Sequence, residues 1–120
     1  MTRQRQGLGR RGEELACAHL AAAGYRILAR NYRTRAAELD IVAQHRGELV
    51  FVEVKTRNSD AYGSPLEAVT RQKQAKIALA ASEYLLRESA GRAAARFDVV
   101  AVSFAGGKPA IEHIKNAFEL

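Results

Sequence analysis

The sequence predicts an α/β domain in which helices cover a mixed sheet, with elements in the order α-β-β-β-α-β-β. Three observations predict it. Two Ala-rich segments, Arg10 to Ala23 and Thr70 to Glu88, carry apolar residues at helical spacing, and five short apolar or alternating runs fall between and after them. The length, 120 residues and 13.1 kDa, suits one core, since two would each have about half the chain. The composition, 48% hydrophobic and 27% charged with nine Gly and two Pro, is that of a globular domain.

The first helix closes at Gly24, a residue suited to the left-handed C′ position, and its apolar stripe runs through Ala16, Leu20 and Ala23. Glu13 falls on that inward stripe and Glu14 points away. Tyr25 to Tyr32 alternates as a strand. Glu38 to Gln44 and Leu49 to Lys55 follow as a hairpin, joined by the four-residue loop His45-Arg46-Gly47-Glu48. Thr56 to Gly63 reads as polar loop. Ser64-Pro65-Leu66-Glu67 matches a capping box opening a helix that restarts at Thr70 and buries Ile77, Ala80, Ala81, Tyr84 and Leu85. After Gly91, Phe97 to Phe104 is a buried strand. A turn at Gly106-Gly107-Lys108-Pro109 leads to an edge strand from Ala110 to Phe118. Residues 1–8 form a basic N-terminal arm and 9–120 a single domain.

The longest uncharged stretch, Leu15 to Tyr25, falls short of the ~18 apolar residues of a membrane span, so no membrane association is expected. The basic N-terminus has no apolar signal-peptide core and reads as mature protein. A lone cysteine, Cys17, and three dispersed histidines (His19, His45, His113) give neither an internal disulfide nor a zinc-finger spacing, which points to a reducing cytoplasm. Cys17, among helix alanines, reads as a small core residue, and the histidines as loop, surface or edge residues.

Charge is unevenly distributed. The net charge is +6, and residues 1–35 alone hold eight Arg against Glu13 and Glu14, leaving the remainder balanced. An Arg-rich end is either a phosphate-binding surface, with nucleic acid the leading partner, or a solvated face that aids solubility.

Within the hairpin, Glu38-Leu39-Asp40 and Glu53-Val54-Lys55 place charge inside apolar strands, which is costly unless the charges are paired or bind a metal. Pairing across the loop sets Val42 opposite Phe51 and Asp40 opposite Glu53. Alternation puts Glu38, Asp40 and Val42 on one side with Phe51, Glu53 and Lys55, and Ile41, Val50, Val52 and Val54 on the other. Opposed side chains stand about 5 Å apart. At an effective dielectric of ~20 two negative charges there repel by roughly 3 kcal/mol. A divalent cation, Lys55, or a proton on one acid would compensate. Mg2+ (or Mn2+) suits one or two carboxylates plus water and phosphate oxygens, and Lys55 is placed to orient or deprotonate an attacking water.

Asp-(x)n-Glu-x-Lys across a hairpin resembles the PD-(D/E)xK signature of restriction-endonuclease-like nucleases. The whole chain resembles the YraN family of small bacterial proteins assigned to that fold. The likeness is carried by Gly9-Arg10-Arg11-Gly12-Glu13-Glu14, Gly24-Tyr25-Arg26, Arg30-Asn31-Tyr32-Arg33, Glu38-Leu39-Asp40-Ile41-Val42, Phe51-Val52-Glu53-Val54-Lys55-Thr56-Arg57, Lys73, Arg96-Phe97-Asp98 and Ile111 to Phe118. The resemblance implies a restriction-endonuclease-like sandwich, similar to archaeal Holliday-junction resolvases, acting on DNA as a metal-dependent endonuclease on branched or damaged substrates. It implies Asp40 and Glu53 as metal ligands, Lys55 as the residue assisting water, and Glu13 as the helix acid completing the cluster. Where the family usually has glycine before Glu-x-Asp, this chain has Ala36-Ala37, which alters the approach to the second strand.

Each assignment has a plainer counterpart. Asp40, Glu53 and Lys55 also read as a structural ion-pair cluster, and Glu13 as a carboxylate favoured near a helix N-terminus. Glu38 shares the face of Asp40. Arg10, Arg11, Arg30, Arg33, Arg35, Arg57 and Lys73 are phosphate contacts or surface charge, with Gln72 and Gln74 weaker. The alternatives to a nuclease are a non-catalytic nucleic-acid-binding module and a protein-interaction domain. A homodimer suits a nuclease that cuts two strands, although no heptad or exposed apolar stripe specifies one.

Overall fold

The computed structural model describes residues 3–58, 65–88 and 94–119. Helix α1 (Arg3–Ala22) is followed by strands β1 (Arg26–Arg33), β2 (Glu38–His45) and β3 (Glu48–Arg57). A 3-10 turn (Pro65–Ala68) leads into α2 (Arg71–Arg87), and β4 (Ala95–Ser103) and β5 (Ala110–Ile114) complete the fold. The sheet has five strands in the order β1-β2-β3-β4-β5. β3 and β4 run parallel, connected through α2, and the other neighbours are antiparallel. This is the expected α/β order with a mixed sheet.

The helices cover opposite faces. From α1, Ala16 and Leu20 pack with Tyr25, Ile41, Ala43, Val50, Val52, Val100 and Val102. From α2, Ile77, Ala80, Ala81 and Tyr84 pack with Val42, Leu49, Phe51, Val99 and Phe118. Each fully buried large side chain contributes about 1.5–3 kcal/mol, so β2, β3 and β4, apolar on both faces, anchor the structure.

Several boundaries differ from expectation. Helix α1 begins at Arg3 and therefore includes most of the expected arm. Ala23 of the expected stripe is exposed, and Gly12, one turn before Ala16, is buried instead. Thr56 and Arg57 extend β3 and are not loop. Helix α2 has its own N-cap at Thr70, whose hydroxyl accepts from the Lys73 N–H at 3.2 Å, while Pro65–Ala68 forms a separate turn. Ser64 and Gly91 lie outside the described residues. β5 ends at Ile114, earlier than expected, because the chain turns at Asn116 (φ 52°) and sends Phe118 into the core against Phe97.

Candidate active site

The β2–β3 connection is a two-residue turn, with Arg46 at φ 52° and Gly47 at φ 82°, and not the four-residue loop expected. Positive φ at both positions is the hallmark of a type I′ turn, which matches strand twist. His45 and Glu48 pair directly, and the register proceeds to Ile41 opposite Val52, as the alternation requires. Here the regular ladder ends. The next residues, Asp40 and Glu53, meet through their side chains, which share a hydrogen bond. Asp40 Oδ2 also accepts the Val54 backbone N–H at 2.9 Å.

Strict alternation is interrupted at this point. Leu39 and Val42 both join the α2-side core, although period two would separate them, and their β1 partners Tyr32 and Ala29 do the same. The β1–β2 register slips between Ile27 and Ala29 and is continuous from there to Arg33, and the change of face near Asp40 accompanies the left-handed backbone of Asn31, which has φ 52°. Breaks of this kind re-aim side chains beside functional sites. Asn31 turns its amide nitrogen to two carboxylates, donating to Glu13 Oε1 at 2.8 Å and to Glu38 Oε1 at 3.1 Å. The sequence signals this role only through asparagine's tolerance of left-handed backbone.

Glu53 is 7% exposed. Its Oε1 receives two ammonium groups, Lys73 Nζ at 2.8 Å and Lys55 Nζ at 3.7 Å. Burial, then the charge of Glu53, pushes the Asp40 carboxyl up to about 7 against the opposing Val54 N–H. Burial also raises Glu13, helped by the charges of Glu38 and Glu53 and opposed by Arg30 and the Asn31 amide. Lys55 is lowered by burial and by neighbouring Lys73. For Lys73, burial acts downward but the hydrogen bond to Glu53 prevails, and its ammonium form is favoured.

Helix α1 reaches the site through a glycine. A Cβ built on Gly12 would overlap the Thr56 side chain of β3, so the absent methyl allows the close approach that presents Glu13. Opposite, α2 and the start of β2 enclose a cleft of about 330 Å3, lined by Glu38, Glu53, Thr70, Gln72, Lys73 and Lys76 among others. Ala36 and Ala37 need no positive φ. Their N–H groups donate to Thr34 Oγ1 at 3.2 and 3.1 Å, and the Thr34 hydroxyl donates to the Ala37 carbonyl. The turn that glycine would ease is closed by threonine.

Glu13, Asp40, Glu53, Lys55 and Lys73 thus belong to one neighbourhood, with Arg30 acting electrostatically on Glu13. The other basic residues are more dispersed. Arg33 pairs with Glu38 at 3.3 Å, Arg11 lies over the Phe104 ring at 4.8 Å, Arg10 and Arg35 are exposed, and Arg57 is half-buried at the end of β3. Gln72 lines the cleft, whereas Gln74 caps the Val69 carbonyl at 3.0 Å. Among the described residues no three His, Cys, Asp or Glu side chains form a ready metal cluster. The chemistry of the donor set still fits a hard divalent ion held by Asp40 and Glu53, with water and phosphate oxygens as its remaining ligands.

A second polar cluster lies on the α1 face. Asp98, fully buried, accepts from Tyr25, from Arg96 and from the Asn116 N–H, and pairs with His113 at 2.7 Å. His113 in turn meets His19 at 3.1 Å, and His45 stacks on Tyr25 at 4.0 Å. The histidines are therefore parts of a packed network: His113 lies on the edge strand β5, as expected, whereas His19 in α1 and His45 at the end of β2 are not the loop or surface residues expected. Cys17 is half-buried against the α1-side core, as anticipated. Among the described residues no helix is long and apolar enough to cross a membrane.

Comparison with known proteins identifies the family. The model of the Uncharacterised protein family UPF0102 matches residues 12–102, from the glycine beside Thr56 into β4. A UPF0102 protein of Geobacter metallireducens is 49% identical over the whole chain and 98% of its own length. One from Pelobacter propionicus is 54% identical over 93% of this chain and 82% of its own. Another, from Anaeromyxobacter dehalogenans, is 49% identical over 96% and 86%. With a match across most of the domain and relatives near half identity along nearly their full length, the chain belongs to the UPF0102 family.

Proposed function

We propose that the protein is a metal-dependent DNA endonuclease with a restriction-endonuclease-like fold, similar to Holliday-junction resolvases, acting on branched or damaged DNA. The observation that carries this reading is the Asp40–Glu53 carboxyl pair at the unpaired end of a hairpin, with Lys55 on the same oxygen of Glu53. Three antiparallel strands, a crossover helix and a parallel fourth strand, with the pair on the central strands, support the fold assignment.

In this reading Asp40 and Glu53 hold Mg2+ or Mn2+, and Glu13, steadied by Asn31, adds negative charge beside them. When bound, such an ion acidifies water and offsets the charge that develops on phosphorus. Lys55, whose ammonium form burial disfavours, takes or directs the water's proton. Arg10, Arg11, Arg30, Arg33, Arg57 and Lys73 supply positive charge for the phosphodiester backbone. A binding-only module is the second reading, and it is favoured by Lys73, which neutralises Glu53 without a metal.

Cleavage of flap, four-way and single-stranded DNA with Mg2+ or Mn2+ tests the proposal. Asp40→Asn is expected to abolish cutting and leave binding intact. Equal activity of wild type and variant would remove the assignment, and salt-sensitive binding without any metal-dependent product would support the second reading.

A further inference from the structure

The two lysines on Glu53 differ in freedom. Lys55 projects from β3 two residues from Glu53 and its side chain is 20% exposed, so its position is fixed by the sheet. Lys73 comes from the first turn of α2 across the cleft, and its side chain is 39% exposed. Its backbone is pinned by the Thr70 cap, but its four-carbon stem leads an ammonium with open cleft beside it. At 2.8 Å from Glu53 Oε1, that ammonium occupies the space a cation on the same oxygen would need. Mg2+ sits about 2.0–2.1 Å from its oxygen ligands and would crowd a second positive group there. Lys55, only 3.7 Å from the same oxygen, adds like charge that favours departure of the more mobile partner.

We propose, building on the reading of Asp40 and Glu53 as a divalent-cation site, that Lys73 is an exchangeable stand-in cation, holding Glu53 until a divalent ion displaces it into the cleft. Lys73 is then a positioning residue. Its ion pair holds the buried Glu53 carboxylate in place before the ion arrives, and the displaced ammonium moves into the cleft, which Glu38 also lines. Competition of this kind is a coupling between two ligands of one carboxylate, and couplings of this type change affinity by about 5- to 150-fold.

Calorimetric titration of the full chain with MnCl2 at pH 8 tests the proposal on wild type, Lys73→Gln, Lys73→Arg and Asp40→Asn, with thermal melting in EDTA to verify folding. Lys73→Gln is expected to bind Mn2+ roughly tenfold more tightly. Lys73→Arg, which keeps the competing charge, should stay near wild type. Equal or weaker binding by Lys73→Gln overturns the proposal while leaving the metal site standing, because the ion then uses the other carboxylate oxygen or depends on Lys73. Absence of Mn2+ binding in both wild type and Lys73→Gln, or binding that Asp40→Asn leaves untouched, overturns the metal-site reading and this inference together.

Discussion

Asp40 Oδ2 accepts the backbone N–H of Val54, one residue beyond the carboxylate of Glu53 that it faces. A single side chain thereby finishes the β2–β3 pairing where the ladder stops and brings two acids into contact. Burial and the neighbouring Glu53 charge favour the protonated form of Asp40.

The first prediction concerns the cost of that proton. The Asp40 carboxyl is raised from 3.8 to about 7. Between those values the unfolded chain releases the proton and the folded chain retains it, so stability falls as pH rises through this window, with the full penalty present above about 7. The penalty is about 4 kcal/mol, at the scale of 1.36 kcal/mol per unit. Asparagine keeps an oxygen for the Val54 N–H and carries no charge. Asp40→Asn is expected to raise Tm by ~5 °C or more at pH 8 and by only about a third as much at pH 5. Equal shifts at both pH values would contradict the account.

Gly12 yields the second. Alanine is a better helix former than glycine by about 1 kcal/mol, which taken alone makes Gly12→Ala stabilising. The new methyl would, however, overlap Thr56 Oγ1 and stand 3.1 and 3.2 Å from its Cβ and Cγ2. Rotating the hydroxyl away leaves the other two contacts tight. Overpacking costs about 1–3 kcal/mol, so the net effect is a loss. Gly9, with open space around its Cβ position, serves as the control. Urea unfolding should move the midpoint down for Gly12→Ala and up for Gly9→Ala. Movement in the same direction for both would show that α1 does not seat on β3 at Gly12.

These two residues mark how far the sequence could be read. The facing of Asp40 and Glu53 is legible because pairing across a hairpin is local and its register runs unbroken from His45 to Ile41. The sequence suggests too long a loop because Arg46 gives no sign of adopting positive φ. Asn31 and the interrupted alternation around it were not legible, since they depend on how β1 and β2 deform together. Helical spacing puts Lys73 on the inward stripe of its helix, but its contact with Glu53 depends on how α2 docks on the sheet. The Asp98 cluster joins residues as distant as His19 and His113, which no spacing reveals.

That cluster carries the third prediction. Burial alone would raise the Asp98 carboxyl, but hydrogen bonds from His113, Arg96 and the Asn116 N–H hold it down to about 2. A depressed carboxylate stabilises the fold above its unfolded value of 3.8, and the gain is lost as pH falls from there through about 2. The loss is roughly 2 kcal/mol. Because Asp98 ties β4 to the turn after β5, acid should release the C-terminal segment as well as lower global stability. Asp98→Asn leaves the largely buried Arg96 guanidinium without its main counter-charge and should cost about 3–5 kcal/mol at neutral pH. Its stability should then vary much less than wild type between pH 4 and 2, because the group that titrates there has been removed. Urea midpoints measured across that range decide the matter: a variant as acid-sensitive as wild type would assign the acid lability to other carboxylates.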